Sequence, residues 1–347
     1  MSEYPSSWPL SLHDAAQVRA LDARLMAAGT SGAVLMQRAA QAAWRALRRR
    51  WPQVRKLCVL AGPGNNAGDG YLLAVLARRA GWDVQVYSLA DPARLRDAAA
   101  QAYAEAGAQG VQVQPWHAEA VLDGLLVDAM LGTGLAGELR EPYASAVARI
   151  NASGLPCLAL DIPSGLCADT GRLWGAAVRA DLTVTFIALK LGLFTGAGPD
   201  QVGELCFADL QADAALCAAA PAVAQRLTAG NLQRLPARPR TAHKGACGRL
   251  LVVGGERGYG GAALLAAQSG LRGGAGMVSL ATREEHVAGA LARCPELMVR
   301  GLLSSGQLLA LLPGHDVLVV GPGLGQGAWG RSLLTAAAQF EGAQVWD

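Results

Sequence analysis

One pattern constrains the fold more than any other. Short apolar runs, unbroken by polar alternation, are each followed by a loop and then a helical stretch. Such runs stand at residues 57–61, 84–87, 111–113, 125–128, 157–161 and 182–187, with helical spacing at 71–80, 93–106 and 143–151. A strand that is apolar on both sides must be covered on both faces, and strands that alternate with helices lie parallel. The expectation is therefore a three-layer α/β domain. Ahead of it, residues 11–50 read as two helices, broken at Gly29-Thr30-Ser31-Gly32 and ended by Pro52. Alanine-rich sequence then leads into Leu235-Pro236-Ala237-Arg238-Pro239-Arg240, which reads as a linker. Alternation resumes beyond it, with strands at 250–253, 277–281, 317–320 and 343–346 and helices at 262–272, 284–292 and 331–340. The domains expected are 1–218, a linker at 219–240, and 241–347. The second block stops directly after a strand, so it reads as an incomplete domain.

Composition agrees. The chain has 347 residues, enough for two domains, and is 52% hydrophobic and 16% charged, which excludes a disordered chain. The net charge of 30 − 27 = +3 does not call for nucleic acid. The local run Arg48-Arg49-Arg50 suits the end of a helix, where cations complement its dipole. Seven cysteines are scattered, with no CxxC pair and no spacing for zinc, as expected of buried thiols in a reducing cytoplasm. No stretch of about 18 apolar residues suggests a membrane span, and residues 1–10 lack the pattern of a signal peptide. Among the cations there are 27 arginines and three lysines, Lys56, Lys190 and Lys244. A lysine kept in such a background points to a place that wants an ammonium, because arginine does not replace it chemically.

Four segments carry chemistry. In Gly62-Pro63-Gly64-Asn65-Asn66-Ala67-Gly68-Asp69-Gly70, glycines let backbone approach a ligand, and the following helix offers free N–H groups to a phosphate. A tight turn would explain the glycines but not Asn65, Asn66 and Asp69 at the carboxyl end of a buried strand. Gly62, Gly64 and Ala67 also satisfy G-x-G-x-x-A, but Ser88 stands near the place of the ribose-binding acid, which disfavours a dehydrogenase. The second segment runs from Asp128 through Gly132, Thr133, Gly134, Leu135, Ala136 and Gly137 to Glu138, a carboxylate followed by a loop suited to phosphate or sugar. In the third, Asp161-Ile162-Pro163-Ser164-Gly165, an acid closes a strand and an abrupt turn follows. Asn66, Asp128 and Ser164 are all oxygen donors, and either a shared hard cation or converging hydrogen bonds would satisfy them. The fourth segment places Lys190 just past a strand, able to neutralise a phosphate or tune a carboxylate.

In order and spacing, these segments resemble the NAD(P)H-hydrate epimerases over roughly residues 10–210, including Leu35-Met36-Gln37-Arg38-Ala39. The second block, with Thr241-Ala242-His243-Lys244-Gly245, Gly273-Gly274-Ala275-Gly276 and Gly321-Pro322-Gly323-Leu324-Gly325, resembles the ADP- or ATP-dependent NAD(P)H-hydrate dehydratases. The resemblance implies a Rossmann-like domain followed by a ribokinase-like one, as in bifunctional nicotinamide nucleotide repair enzymes. It implies Asp161 and Lys190 as the catalytic pair. It also implies hydrated-cofactor binding by Asn65, Asn66, Ala67, Gly68, Asp69, the 132–138 loop and Asp161. A potassium ion would sit on Asn66, Asp128 and Ser164. In the second block Ala275, Gly323 and Gly325 would bind the hydrate, with ADP or ATP and magnesium as cofactors. The block lacks the family's later His-Pro segment and the glycine loop with its catalytic Asp, so loss of dehydratase activity is expected. A cytoplasmic homo-oligomer with a small-molecule substrate and no nucleic-acid or membrane partner completes the expectation. The alternative is a noncatalytic nucleotide-binding or interaction protein that keeps the pocket without turnover.

Overall fold

In the computed structural model the apolar runs become strands whose alternate side chains enter two different cores. Leu57, Val59 and Ala61 pack with the helices of one face, while Cys58 and Leu60 pack with Met130, Val147 and Ile150 on the other. That two-sided burial is why no polar alternation is visible in the sequence. The structure describes residues 5, 8–232 and 236–347. The chain divides into two units, residues 1–233 and 234–347.

Among the described residues, the first unit is built on a sheet of seven parallel strands. From edge to edge they are Gln112–Pro115, Asp83–Ser88, Lys56–Ala61, Leu125–Ala129, Cys157–Leu160, Leu182–Phe186 and Glu204–Ala208. The first of these strands in sequence lies third in space. The chain therefore winds outward on one side and then returns to wind outward on the other. The reversal lies between Lys56–Ala61 and Leu125–Ala129, which pair directly. Loops leaving the carboxyl ends of two such strands diverge, and the crevice between them is where folds of this kind take ligands.

Two helices come before the sheet. Ala15–Ala27 is opened by a capping box, in which the Asp14 carboxylate accepts from Gln17 N at 2.7 Å and Asp14 N donates to Gln17 Oε1 at 3.1 Å. Gly32–Arg50 is capped by Ser31, and Arg48, Arg49 and Arg50 fill its last turn, as the helix dipole favours. The first helix is anchored by a feature the sequence does not announce. Strand Ser11–His13 lies between Leu189–Lys190, parallel, and Ala224–Gln225, antiparallel. Ala224–Gln225 falls within the expected 219–240 linker. Its pairing, continued by Arg226 N donating to Leu10 O at 2.8 Å, makes that part of the stretch belong to the first unit. A two-residue strand is too short to show periodicity. Leu235 of the proline-rich motif lies outside the described residues.

Among its described residues, the second unit has five parallel strands in the order Met298–Gly301, Met277–Thr282, Arg249–Val253, Val317–Val320 and Ala343–Trp346. Met298–Gly301 escapes a sequence reading because its outer position leaves Met298 and Arg300 exposed, which breaks the apolar run. Among the described residues, no helix is long and apolar enough to cross a membrane.

Candidate active site

At the reversal point the two loops nearly touch. Gly62 N donates to Ala129 O at 3.1 Å, and a Cβ on Gly62 would lie 1.7 Å from Met130 O. Only glycine permits this approach. The helix that follows begins at Asn65, earlier than the 71–80 spacing suggests, and runs to Arg79. Asn65, Asn66 and Asp69 therefore occupy its first turns and not a loop, and all three line a cavity of about 630 Å³. Ala67 and Gly68 are buried and are not among the residues lining it, and a Cβ on Gly68 would lie 2.4 Å from Met36 Sδ. Gly132, Thr133, Gly134, Leu135 and Ala136 line the same cavity, while Gly137 and Glu138 line a neighbouring hollow that also holds Arg140.

Asp161 and Lys190 meet at the carboxyl edge of the sheet. Asp161 follows its strand with φ of +66°, a left-handed conformation rare outside glycine but tolerated by Asp. It is held there by Asp161 N donating to Val184 O and Ile162 N to Leu160 O, both at 2.8 Å. The turn aims its carboxylate at Lys190, whose side chain is 1% exposed. The ammonium donates to Asp161 Oδ1, to Thr185 Oγ1 at 3.0 Å and to Phe186 O at 3.0 Å. Those three acceptors match its three N–H bonds. A solvated surface lysine is thereby excluded. The contrast with Lys56, half exposed and paired with Asp123 at 2.7 Å, shows how differently two of the three lysines are used.

Two more carboxyls share the cavity. Asp69 is held well above the usual carboxylate range by burial, with the charges of Asp161 and Asp22 adding to the effect and Lys190 opposing it. Asp22, on helix Ala15–Ala27, is pushed up to about 6 by burial; Lys190 opposes this and Asp161 adds to it. The sequence reading missed Asp22. The available signal was its place on the helix, four residues after Val18 and three before Leu25, beside the buried stripe of Val18, Leu21 and Leu25. Arg19, one turn earlier, also lines the cavity and donates to Thr133 O at 3.5 Å.

Beneath the second loop lies the oxygen cluster. Asp128 is fully buried; Ser164 donates to it through Oγ at 2.6 Å and through N at 2.7 Å, and Met130 N donates at 3.2 Å. Burial pushes its carboxyl up to about 6 against the pull of the Ser164 hydrogen bonds. Ser164 Oγ accepts from Leu131 N at 2.9 Å, and Asn66 Nδ2 donates to Leu131 O at 3.3 Å. Asn66, Asp128 and Ser164 are thus gathered around the Leu131 peptide. Among the described residues Asn66 Oδ1 is buried without a hydrogen-bond partner, the condition of an oxygen that a hard cation would satisfy.

In the second unit, Gly323 and Gly325 follow the strand Val317–Val320, both with positive φ, and pack against Tyr259 and Glu256. Glu256 pairs with Arg283 at 2.7 Å, and the Arg283 guanidinium lies 4.2 Å from the centre of the Trp329 ring. Ala275 precedes the strand Met277–Thr282, at the amino end of the sheet. The three residues expected to bind the hydrate here are therefore divided between the two ends of the strands.

Both units match known families. Residues 32–192 match the YjeF-related protein N-terminus family, and residues 250–347 match the NAD(P)H-hydrate dehydratase family. The chain is 41% identical over 338 residues to a bifunctional NAD(P)H-hydrate repair enzyme of Coxiella burnetii, covering 97% of this chain and 69% of the relative. It is 41% identical over 318 residues to that of Escherichia coli, covering 90% of this chain and 61% of the relative. It is 40% identical over 329 residues to that of Leishmania braziliensis, covering 88% and 57%. The chain belongs to the bifunctional NAD(P)H-hydrate repair enzyme family. It spans about three fifths to two thirds of the length of these relatives. The expectation of a truncated second domain gives way to a narrower statement, that a dehydratase-type domain is present at residues 250–347.

Proposed function

We propose that the first unit interconverts the R and S forms of hydrated NADH or NADPH at C6 of the reduced ring. In the same proposal the second unit serves the ADP- or ATP-dependent dehydration of the S form, with magnesium. The observation that carries the epimerase reading is the buried Lys190–Asp161 pair set at the carboxyl edge, inside a cavity walled by two ligand loops. The cavity volume of about 630 Å³ lies in the range of small-molecule sites.

C6 of the hydrate bears both the ring nitrogen and a hydroxyl. When a carboxylic acid protonates that hydroxyl, the nitrogen lone pair forms C=N, the C6–O bond breaks and water leaves. Water returning to the other side gives a proton to a carboxylate. Asp161 reaches into the cavity and carries that proton, while Lys190 orients it and balances its charge. Arg19 and the 132–136 loop hold the phosphates, and the first turns of helix Asn65–Arg79 receive the rest of the nucleotide. A potassium ion on Asn66 and the Asp128–Ser164 pair would supply fixed positive charge beneath the loop. The reading also includes a cytoplasmic homo-oligomer; the former accords with seven free cysteines.

The test is chromatographic. The purified chain, given separated R or S hydrate in potassium buffer without nucleotide, equilibrates the two far faster than buffer alone. Unchanged isomer ratios with folded protein overturn the proposal.

A further inference from the structure

We propose that Asp22 is a second proton-transfer residue, serving the C6 hydroxyl from the helical wall of the cavity while Asp161 serves it from the sheet edge. The inference rests on the epimerase reading above. It starts from placement. Asp22 lines the same cavity as Asp69, Asp161 and Lys190, but it enters from helix Ala15–Ala27, ahead of the sheet. Its Oδ1 is buried and has no hydrogen-bond partner among the described residues. The nearby ammonium cannot supply one, because its three donors are already committed to Asp161, Thr185 and the Phe186 carbonyl. A buried polar atom left without a partner costs stability. An oxygen with no structural bond, at the wall of a ligand cavity, is placed for a ligand.

The chemistry needs such a group. Inversion at C6 requires the hydroxyl to leave from one face and water to arrive at the other. A single carboxyl on one wall serves both faces only if the ring turns over in the site. Carboxyls on two walls remove that need. In one direction protonated Asp22 gives its proton to the hydroxyl, the C6–O bond breaks, and the ring nitrogen lone pair forms C=N. Water then adds to C6 from the other face, the C=N pair returns to nitrogen, and ionised Asp161 takes the proton from the added water. The reverse reaction exchanges the two roles. Each turnover leaves Asp22 ionised and Asp161 protonated, and proton exchange with solvent resets them.

The groups facing Asp22 are Asp69 from helix Asn65–Arg79, Asp161 and Lys190 from the sheet edge, and Arg19 on its own helix. Burial pushing Asp22 up to about 6 lets it exist in both protonation states near neutral pH, as an acid and base must. Asp69 is likewise held well above the usual carboxylate range by burial, with the charges of Asp161 and Asp22 adding to it.

The experiment compares the full chain with Asp22→Asn, Asp22→Glu and Asp69→Asn. An inactive unmodified chain refutes the epimerase reading itself and is separated from the rest by that control. With an active chain, Asp22→Asn lowers kcat at least about 100-fold with KM changed less than about threefold. Asp22→Glu recovers part of the loss and moves the acidic limb of the pH–kcat profile. In water enriched in oxygen-18, Asp22→Asn still exchanges the C6 oxygen of one epimer with retention, because Asp161 keeps its own face. The inference is overturned by an unchanged kcat, by a loss confined to KM, or by an unmoved limb in Asp22→Glu. Equal loss of oxygen exchange in both epimers, or a loss found only in Asp69→Asn, overturns it as well.

Discussion

The two units place charge at the carboxyl ends of parallel strands, but at different depths. In the first, Lys190 and Asp128 are fully buried and Asp69 nearly so, and burial drives the carboxyls of Asp22, Asp69 and Asp128 upward. In the second, Glu256 and Arg283 each keep 19% of their side chains exposed, and the Arg283 hydrogen bond holds Glu256 below its usual range. The first unit therefore surrounds its Asp161–Lys190 pair with carboxyls that burial pushes upward, whereas the second holds its Glu256–Arg283 pair without such raised neighbours among the described residues. The difference follows from what covers the edge. Helices Ala15–Ala27 and Gly32–Arg50 supply Asp22, Leu35 and Met36 to the cavity wall of the first unit and exclude water from its charges. Desolvation then outweighs pairing.

Several outcomes would break or sharpen that contrast. The largest concerns Asp161→Asn, which is expected to lower kcat for hydrate epimerisation by about 10²–10⁴-fold with a smaller change in KM, read by isomer chromatography. If only KM changes, Asp161 binds and does not transfer protons. Next is Lys190→Met. Removing one partner of a buried pair leaves Asp161 beside two further acids without a counter-ion, and a loss of about 3–5 kcal/mol in denaturant unfolding is expected. A loss below about 1 kcal/mol would mean that the buried charge is not compensated as described.

The pH response should have opposite signs in the two units. Asp22 has a folded-state value of about 6 against 3.8 for the free side chain, so between those values the folded chain holds a proton that the unfolded chain has lost. Stability of the first unit therefore falls as pH rises through that window. Asp22→Asn makes the slope shallower by removing this residue's share, and raises stability above the window by up to about 2 kcal/mol, while activity is lost. Glu256 is lowered, so its contribution is present above its ordinary value of 4.5 and is lost as pH falls below it. Hydrogen exchange on the whole chain, read at Ala15–Ala27 and at Arg249–Val253, separates the two responses. Slopes of the same sign would contradict the comparison.

Smaller effects test the packing. Gly62→Ala drives a methyl into Met130 O and is expected to cost about 1–3 kcal/mol, with weaker substrate binding as the two loops part. An unchanged unfolding midpoint would show that the loops can separate freely. Smallest is Lys56→Ala. Its partners Asp83 and Asp123 are more exposed than it is, so the midpoint should not move measurably. A shift comparable to that of Lys190→Met would remove the distinction between the two lysines.

What the sequence determined by itself was the order of strands and helices, the parallel sheets, and the polar residues that end apolar strands. Asp128, Asp161 and Lys190 were legible because a charged residue at the end of a fully apolar strand has little structural reason to be there. The elements that escaped it were short or lay at an edge: Ser11–His13, Ala224–Gln225, Glu204–Ala208 and Met298–Gly301. Strands of this kind are set by pairing with a neighbour and carry too little apolar periodicity to declare themselves. The early start of helix Asn65–Arg79 was hidden by its glycines and asparagines, residues that local propensity assigns to turns. Tertiary structure alone decided that Lys190 is buried and has three acceptors, that Asp22 joins Asp69 and Asp161 in one cavity, and that Asn66 keeps an idle oxygen near the Asp128–Ser164 pair. Such facts depend on segments far apart in the chain, as when the pairing of His13 with Lys190 anchors the helix that carries Asp22. Local pattern records which face of an element is apolar, whereas desolvation and charge pairing arise only when distant elements meet.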